Sequence, residues 1–192
     1  MIKILFVCHG NICRSPMAEF VMKKLVQDLP TSGKCEISSS TKLGVETDTA
    51  LSAADFKIAS AATSTEEIGN PVYPPARRML ASHGIDCSGK TARQMTLADY
   101  NHYDYIVLMD QNNLRNLRWI LPRDIYEREI KALSARHENG NTQIFNKVSL
   151  LMNWAGKNRD VADPWYTGDF ESTWCDVNEG CKAMLKWFLE QH

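Results

Sequence analysis

Ile2-Lys3-Ile4-Leu5-Phe6-Val7-Cys8-His9-Gly10-Asn11-Ile12-Cys13-Arg14-Ser15-Pro16-Met17 runs from a β-branched apolar segment through a short glycine-containing turn into helix-forming sequence. Ile2 to Val7 has no clean polar alternation, as expected of a central parallel strand covered on both faces. Ser15 suits a helix N-cap and Pro16 the first helical position, where the missing N–H is not needed. From Met17 to Asp28 the apolar residues Met17, Phe20, Val21, Leu25 and Val26 recur close to helical spacing. Strand, tight loop and helix in that order open an α/β unit.

The same alternation continues outward. Pro74-Pro75 through Ala81 reads as a helix stopped at His83-Gly84. Tyr105 to Met109 reads as a second buried parallel strand ending in Asp110, and helical spacing resumes from Asn113 through Leu121. Phe170 to Leu189 carries Trp174, Val177, Cys181, Leu185 and Phe188 on one face of a long amphipathic helix. The pattern predicts an open α/β sheet. Residues 1–192 are expected to form one domain, with insertions at about 34–55 and 122–141, where the periodicity fails or the sequence is strongly charged.

Composition narrows the function. Apolar residues make up 44% of the 192, charged residues 23%, and the formal net charge is −1. A balance near neutrality gives no broad field for nucleic acid or an anionic membrane. The apolar start is too short for a signal peptide, and no stretch approaches the roughly 20 apolar residues of a membrane span. Six cysteines (Cys8, Cys13, Cys35, Cys87, Cys175, Cys181) without a secretion signal read as thiols, which predicts a cytoplasmic address.

The chemistry is concentrated in the opening loop. Cys8 and Arg14 bracket His9, Gly10, Asn11, Ile12 and Cys13 between a buried strand and a helix start. Successive backbone N–H groups in such a loop form an anion-binding nest, reinforced by the helix N-terminus. Arg14 can present two parallel donors to phosphate oxygens, which lysine cannot. The same field stabilises a thiolate at Cys8, aimed at phosphorus. Cys13, in the same loop, is either a small residue that fits or a trap for oxidised Cys8 as a disulfide. Cys175 and Cys181 fall on different helical faces and suggest no metal pair.

Extended to Val7-Cys8-x-Gly10-Asn11-x-Cys13-Arg14-Ser15-Pro16-Met17-Ala18-Glu19, the motif resembles that of the low-molecular-weight protein tyrosine phosphatases. The resemblance continues at Ala76-Arg77, His83-Gly84-Ile85, Ala92-Arg93-Gln94, Met109-Asp110 with Asn113-Leu114, and Asp163-Pro164-Trp165-Tyr166. It implies a doubly wound fold on a four-stranded parallel sheet, a cysteinyl-phosphate intermediate, and no metal or organic cofactor. It implies Cys8 as nucleophile, Arg14 as the transition-state clamp and Asp163 as general acid. Asn11, Ser15 and His83 match positions that support the loop by hydrogen bonds. Asp-Pro alone is a common turn opener; the acid role follows from its place in Asp-Pro-Trp-Tyr. Trp165 and Tyr166 match aromatic walls for a phenyl ring, with Trp165 a mild departure from the usual pair of tyrosines. Glu66, followed by Glu67, stands where the family usually has an aromatic on the opposite wall. The implied substrate is a phosphotyrosine protein or a small aryl phosphate, and the expected state is a monomer.

Three rivals share parts of this pattern. An arsenate reductase on the same fold needs two more cysteines after the strand Tyr105 to Met109, and none lies between Cys87 and Cys175. The similar protein arginine phosphatases carry Thr where this chain has Ile12, an apolar residue that favours a flat aryl group. A phosphoprotein-binding module without turnover has no use for Asp163.

Overall fold

Four parallel strands form the sheet, in the order β2 (Phe56–Ala62), β1 (Ile2–Cys8), β3 (Tyr105–Leu108), β4 (Val148–Leu150). The computed structural model describes residues 1–29, 51–139 and 146–191. Ile4 lies opposite Ile58 on one side and Tyr105 on the other, and Ile106 lies opposite Val148. From β1 the chain winds outward to β2, then returns past β1 to β3 and β4. The carboxyl ends of β1 and β3 therefore meet at the switch in winding direction, where open α/β sheets bind ligands.

Alternate residues of β1 enter different layers. Ile4, Phe6 and Cys8 join a core closed by α1 (Arg14–Gln27), α2 (Pro74–Ser82), α6 (Leu151–Trp154) and α8 (Phe170–Gln191). Leu5 and Val7 point into the opposite core, closed by α3 (Leu97–His102), α4 (Gln111–Asn116) and α5 (Arg123–Asn139). A strand buried on both faces needs apolar residues at every position, which is why β1 lacks alternation.

Several expectations are met and others are corrected. α2 starts on Pro74 and stops before Gly84, whose φ of +71° supplies the left-handed stop. Helix α1 begins two residues earlier than Ser15 implied: Cys13 occupies the cap position with no side-chain bond, and Ser15 lies inside the first turn. Pro16 still fits there, because the first N–H groups of a helix have no intrahelical acceptor. Residues 122–139, expected as an insertion, hold α5, which lies between β3 and β4 in the chain and packs Leu133, Ile130 and Tyr126 on the second core. Tyr100 of α3 donates to the buried Glu129 of α5 at 2.5 Å. Of the other expected insertion, residues 51–55 lead through a short 3-10 turn (Ala53–Asp55) into β2, and 34–50 lie outside the described residues. No helix among the described residues is long and apolar enough to cross a membrane.

Helix α8 crosses α6 at Gly180, where an added Cβ would lie 2.5 Å from Leu151 Cγ and 2.8 Å from its Cδ1. Leu151 is fully buried and has nowhere to turn. Gly180→Ala gains about 1 kcal/mol of helix propensity but overpacks a site where insertion costs about 1–3 kcal/mol. The expected outcome in urea unfolding is a net loss of up to about 2 kcal/mol. A stabilised variant would mean that α6 and α8 can separate without penalty.

Candidate active site

Cys8 ends β1, Arg14 begins α1, and the five residues between them turn back over the end of the sheet. The thiol of Cys8 lies 3.0 Å from Ser15 Oγ and accepts from the Asn11 N–H at 3.3 Å. Ser15 is thus drawn away from capping and toward sulfur. Asn11 has a φ of +58°, among the described residues the one non-glycine in the left-handed region. Asparagine tolerates that region best among residues with a Cβ, yet it still needs holding. Its Nδ2 donates to Ser15 Oγ at 2.9 Å and Ser60 Oγ at 2.8 Å, and its Oδ1 accepts from the Arg93 N–H at 3.2 Å. Asn11 is fully buried behind the loop.

This support reaches residues that the sequence did not mark. Ser60 Oγ donates to Glu19 Oε2 at 2.5 Å, and Glu19 also pairs with Lys23 and, at 3.3 Å, with Lys90. Lys90 Nζ donates to Ser60 O at 3.1 Å. Burial pushes the Lys90 ammonium below its usual range, and the Glu19 carboxylate only partly restores it. Glu19 was visible as part of the opening motif, but a helical acid shows a structural duty only once it is found buried. His83 does not join the loop. Its Nδ1 lies 3.0 Å from Met79 O, its ring stacks on Trp174 at 3.7 Å, and no loop residue is among its hydrogen-bond partners. It closes α2 against α8 instead of supporting the loop.

Arg14 is 4% exposed and sits between two carboxylates. Its Nη1 donates to Asp110 Oδ2 at 2.5 Å and its Nη2 lies 2.7 Å from Asp163 Oδ2. Burial pulls the guanidinium pKa down, but Cys8, Asp110 and Asp163 outweigh it and raise the net value. Asp110 also caps α4, accepting from the Asn113 N–H at 2.6 Å. Asp163 caps α7 (Pro164–Thr167), accepting from the Trp165 N–H at 3.1 Å. Burial, followed by the charges of Cys8 and Asp163, pushes the Cys13 thiol up to about 12.

These groups line a cleft of about 440 Å³. His9, Gly10, Ile12 and Cys13 lie on its floor beside Cys8 and Arg14. Trp165 and Tyr166 form one wall, and Tyr166 is 86% exposed. Glu66 and Glu67 stand among the other lining residues, with Glu66 Oε2 at 3.1 Å from His9 Nε2. Asn112, Asn113 and Asn116 of α4 complete the lining and were not foreseen. Among the described residues no group of three or more His, Cys, Asp or Glu converges as a metal site.

The segment that carries Asp163 is tied down by Asp176 of α8. Arg159 donates to both Asp176 oxygens at 2.8 and 2.5 Å, and the Ala162 N–H donates at 2.9 Å. The Val161 N–H bonds Met109 O at 2.9 Å, which joins the segment to the end of β3. Burial alone would raise the Asp176 carboxyl, but the bonds from Arg159 and Ala162 prevail and lower it. A lowered acid contributes stability that is complete above the ordinary carboxylate range and fades as pH falls through its folded value. Asp176→Asn is therefore expected to cost about 1–2 kcal/mol at neutral pH, discounted because Arg159 is partly exposed. That gap to wild type should close in acid; a gap independent of pH would assign the loss to packing.

The model of the family described as low molecular weight phosphotyrosine protein phosphatase matches residues 3–50 and 45–143. A low molecular weight phosphotyrosine protein phosphatase of Gallus gallus is 34% identical over 186 residues, covering 95% of this chain and 93% of the relative. YfkJ of Bacillus subtilis, a low molecular weight protein-tyrosine-phosphatase, is 30% identical over 187 residues, covering 96% and 94%. Its crystal structure superposes with a TM-score of 0.70 at 29% identity, covering 100% of this chain and 96% of that one. The crystal structure of SP-PTP, the low molecular weight enzyme of Streptococcus pyogenes, superposes with a TM-score of 0.65 at 32% identity, covering 97% and 92%. With the thiol, guanidinium and carboxyl of the motif gathered in one cleft, this chain belongs to the low molecular weight phosphotyrosine protein phosphatase family.

Proposed function

We propose that this protein hydrolyses phosphotyrosine in polypeptides, and small aryl phosphates, through a cysteinyl-phosphate intermediate. The supporting observation is the meeting in one cleft of Cys8 and Arg14, from one loop, with Asp163, from a distant part of the chain. The Cys8 thiolate attacks phosphorus, forming an S–P bond as the P–O bond to the aryl group breaks. Asp163 gives its proton to the departing oxygen. Water then attacks the phosphocysteine, Asp163 takes a proton from it, and phosphate leaves with the thiolate restored. Loop N–H groups and the start of α1 hold the equatorial oxygens, and the Arg14 fork gathers the charge of the transition state.

Arg14 holds Asp163 through Nη2 in the structure described. A bound phosphate competes for that nitrogen and frees the carboxyl to face the leaving oxygen. Trp165 and Tyr166 suit a flat ring, and apolar Ile12 favours an aryl group over a guanidinium. Glu66 narrows the choice of neighbouring residues without touching the chemistry. A nucleophile that works only as a free thiolate suits a reducing compartment, so we assign a cytoplasmic site of action. We assign a monomer acting on phosphotyrosine polypeptides, with no nucleic acid or membrane as partner.

Asp163→Asn separates catalysis from phosphate binding. General acid catalysis is worth about 10²–10⁴-fold, and most where the leaving group is poor. The variant is expected to slow phosphotyrosine cleavage by about 10²-fold or more and nitrophenyl phosphate cleavage much less. Equal slowing of both would assign Asp163 to shaping the loop, and no slowing would place the acid elsewhere.

Cys13 lines the same cleft as Cys8. Peroxide converts the Cys8 thiolate to a sulfenic acid, and attack by the Cys13 sulfur closes a disulfide with loss of water. Burial, the largest cause of the raised Cys13 thiol, opposes that closure, while the loss of the Cys8 thiolate charge on oxidation removes the next largest. Mild peroxide is expected to inactivate the enzyme reversibly, with a Cys8–Cys13 linkage in the peptide map. Full recovery of a peroxide-treated Cys13→Ala variant would remove Cys13 from this role.

A further inference from the structure

Beside the catalytic cleft lies a second groove of about 430 Å³, lined by Tyr73, Arg78, Pro164, Trp165 and Phe170 among others. Trp165 lines both, so one indole separates the two. Tyr73 packs 5.5 Å from Trp165 and 6.1 Å from Phe170, ring centre to ring centre, which makes a nearly continuous aromatic floor. An extended chain advances about 3.3–3.6 Å per residue, so the far ring lies within about four residues of Trp165. Arg78 is the one charged residue of the lining; it is exposed and has no ion-pair partner among the described residues. Glu66 and Glu67 line the catalytic cleft and not this groove. The two depressions that share Trp165 thus differ in charge, with Arg78 in one and the two glutamates in the other.

We propose that this groove is a recognition subsite for the substrate polypeptide, taking an acidic side chain that flanks the phosphotyrosine. The proposal rests on the phosphatase reading above. With the phosphorylated ring against Trp165 in the catalytic cleft, the adjoining chain crosses the indole onto Tyr73 and Phe170. The aromatic floor covers its apolar atoms, and Arg78 meets the carboxylate. A glutamate directed the other way meets Glu66 and Glu67 and is repelled. The two depressions thus set which side of the phosphotyrosine carries the acid. Charges at the rim of an interface act mainly on encounter and partner choice, and their effect is weakened by salt.

The test uses the full chain, nitrophenyl phosphate, and phosphotyrosine peptides with a glutamate or a lysine on one side only. Wild type is expected to favour one glutamate peptide over its lysine counterpart by about three- to fivefold in kcat/KM, the range of an exposed charge pair. Higher ionic strength should shrink that preference. Arg78→Ala should abolish it and Arg78→Glu should reverse it, with nitrophenyl phosphate turnover unchanged in both. Equal rates for all peptides, or a preference untouched by Arg78→Glu, would overturn the subsite. So would a wild-type dimer that Arg78→Glu dissociates without changing peptide rates, because the groove would then hold a second copy of the chain. Absence of nitrophenyl phosphate turnover in wild type would instead overturn the phosphatase reading itself.

Discussion

A single buried guanidinium joins the parts of this molecule that matter. Arg14 stands at the first residue of α1, between Asp110 from the end of β3 and Asp163 from the segment before α8. A buried charge is tolerated only with partners and good geometry, and removing one partner of such a pair typically costs about 3–5 kcal/mol. The chain must therefore bring residues 14, 110 and 163 together or leave a charge stranded in the interior. The parallel sheet makes this possible, because β1 and β3 are neighbours and both end at the same edge. Fold and site are one constraint here.

Around that charge the loop is held by a chain of neutral and ionic contacts running inward from Asn11. Its left-handed backbone turns the Asn11 N–H toward Cys8 sulfur. Strained backbone persists only where surroundings over-determine it, and three bonds to the Asn11 side chain do so. Behind them Ser60 is oriented by Glu19, which is itself balanced by Lys23 and Lys90. Lys90 lies in the turn before Ala92-Arg93, so the geometry of the thiol depends on a segment about eighty residues away in the chain.

What the sequence made legible was local. The strand Ile2 to Val7, the turn and the helix after it carry their own signals, and the long spacing of α8 reads directly from Trp174, Val177, Cys181 and Phe188. Ser15 was read both as a cap and as support for the loop; Cys13 takes the cap position, while the Ser15 hydroxyl meets the Cys8 thiol and the Asn11 amide. His83 misled because His-Gly resembles a motif, although Trp174, ninety-one positions on, captures the ring. Residues 122–139 read as an insertion that begins with charged, helix-like sequence; the helix is α5, whose inner face packs with only Tyr126, Ile130 and Leu133. The pairings of Asp110, Asp176 and Lys90 were silent for one reason: each acts through a partner far away in sequence. Such pairings have no period and no spacing rule.

The same division separates chemistry from choice of substrate. Cys8 and Arg14 sit on a strand end and a helix start, positions fixed by backbone hydrogen bonds and two packed cores. Asp163, Trp165 and Tyr166 ride on a short helix whose approach is anchored at Val161 and Asp176. Because the anchors lie just before Asp163, the proposed exchange of Arg14 for a substrate needs only its side chain to move. On the mechanism proposed above, the acid is thereby held by the residue that would clamp phosphate. Phosphate binding and release of that carboxyl would then be one event, and a ligand without a phosphate would leave the carboxyl on Arg14.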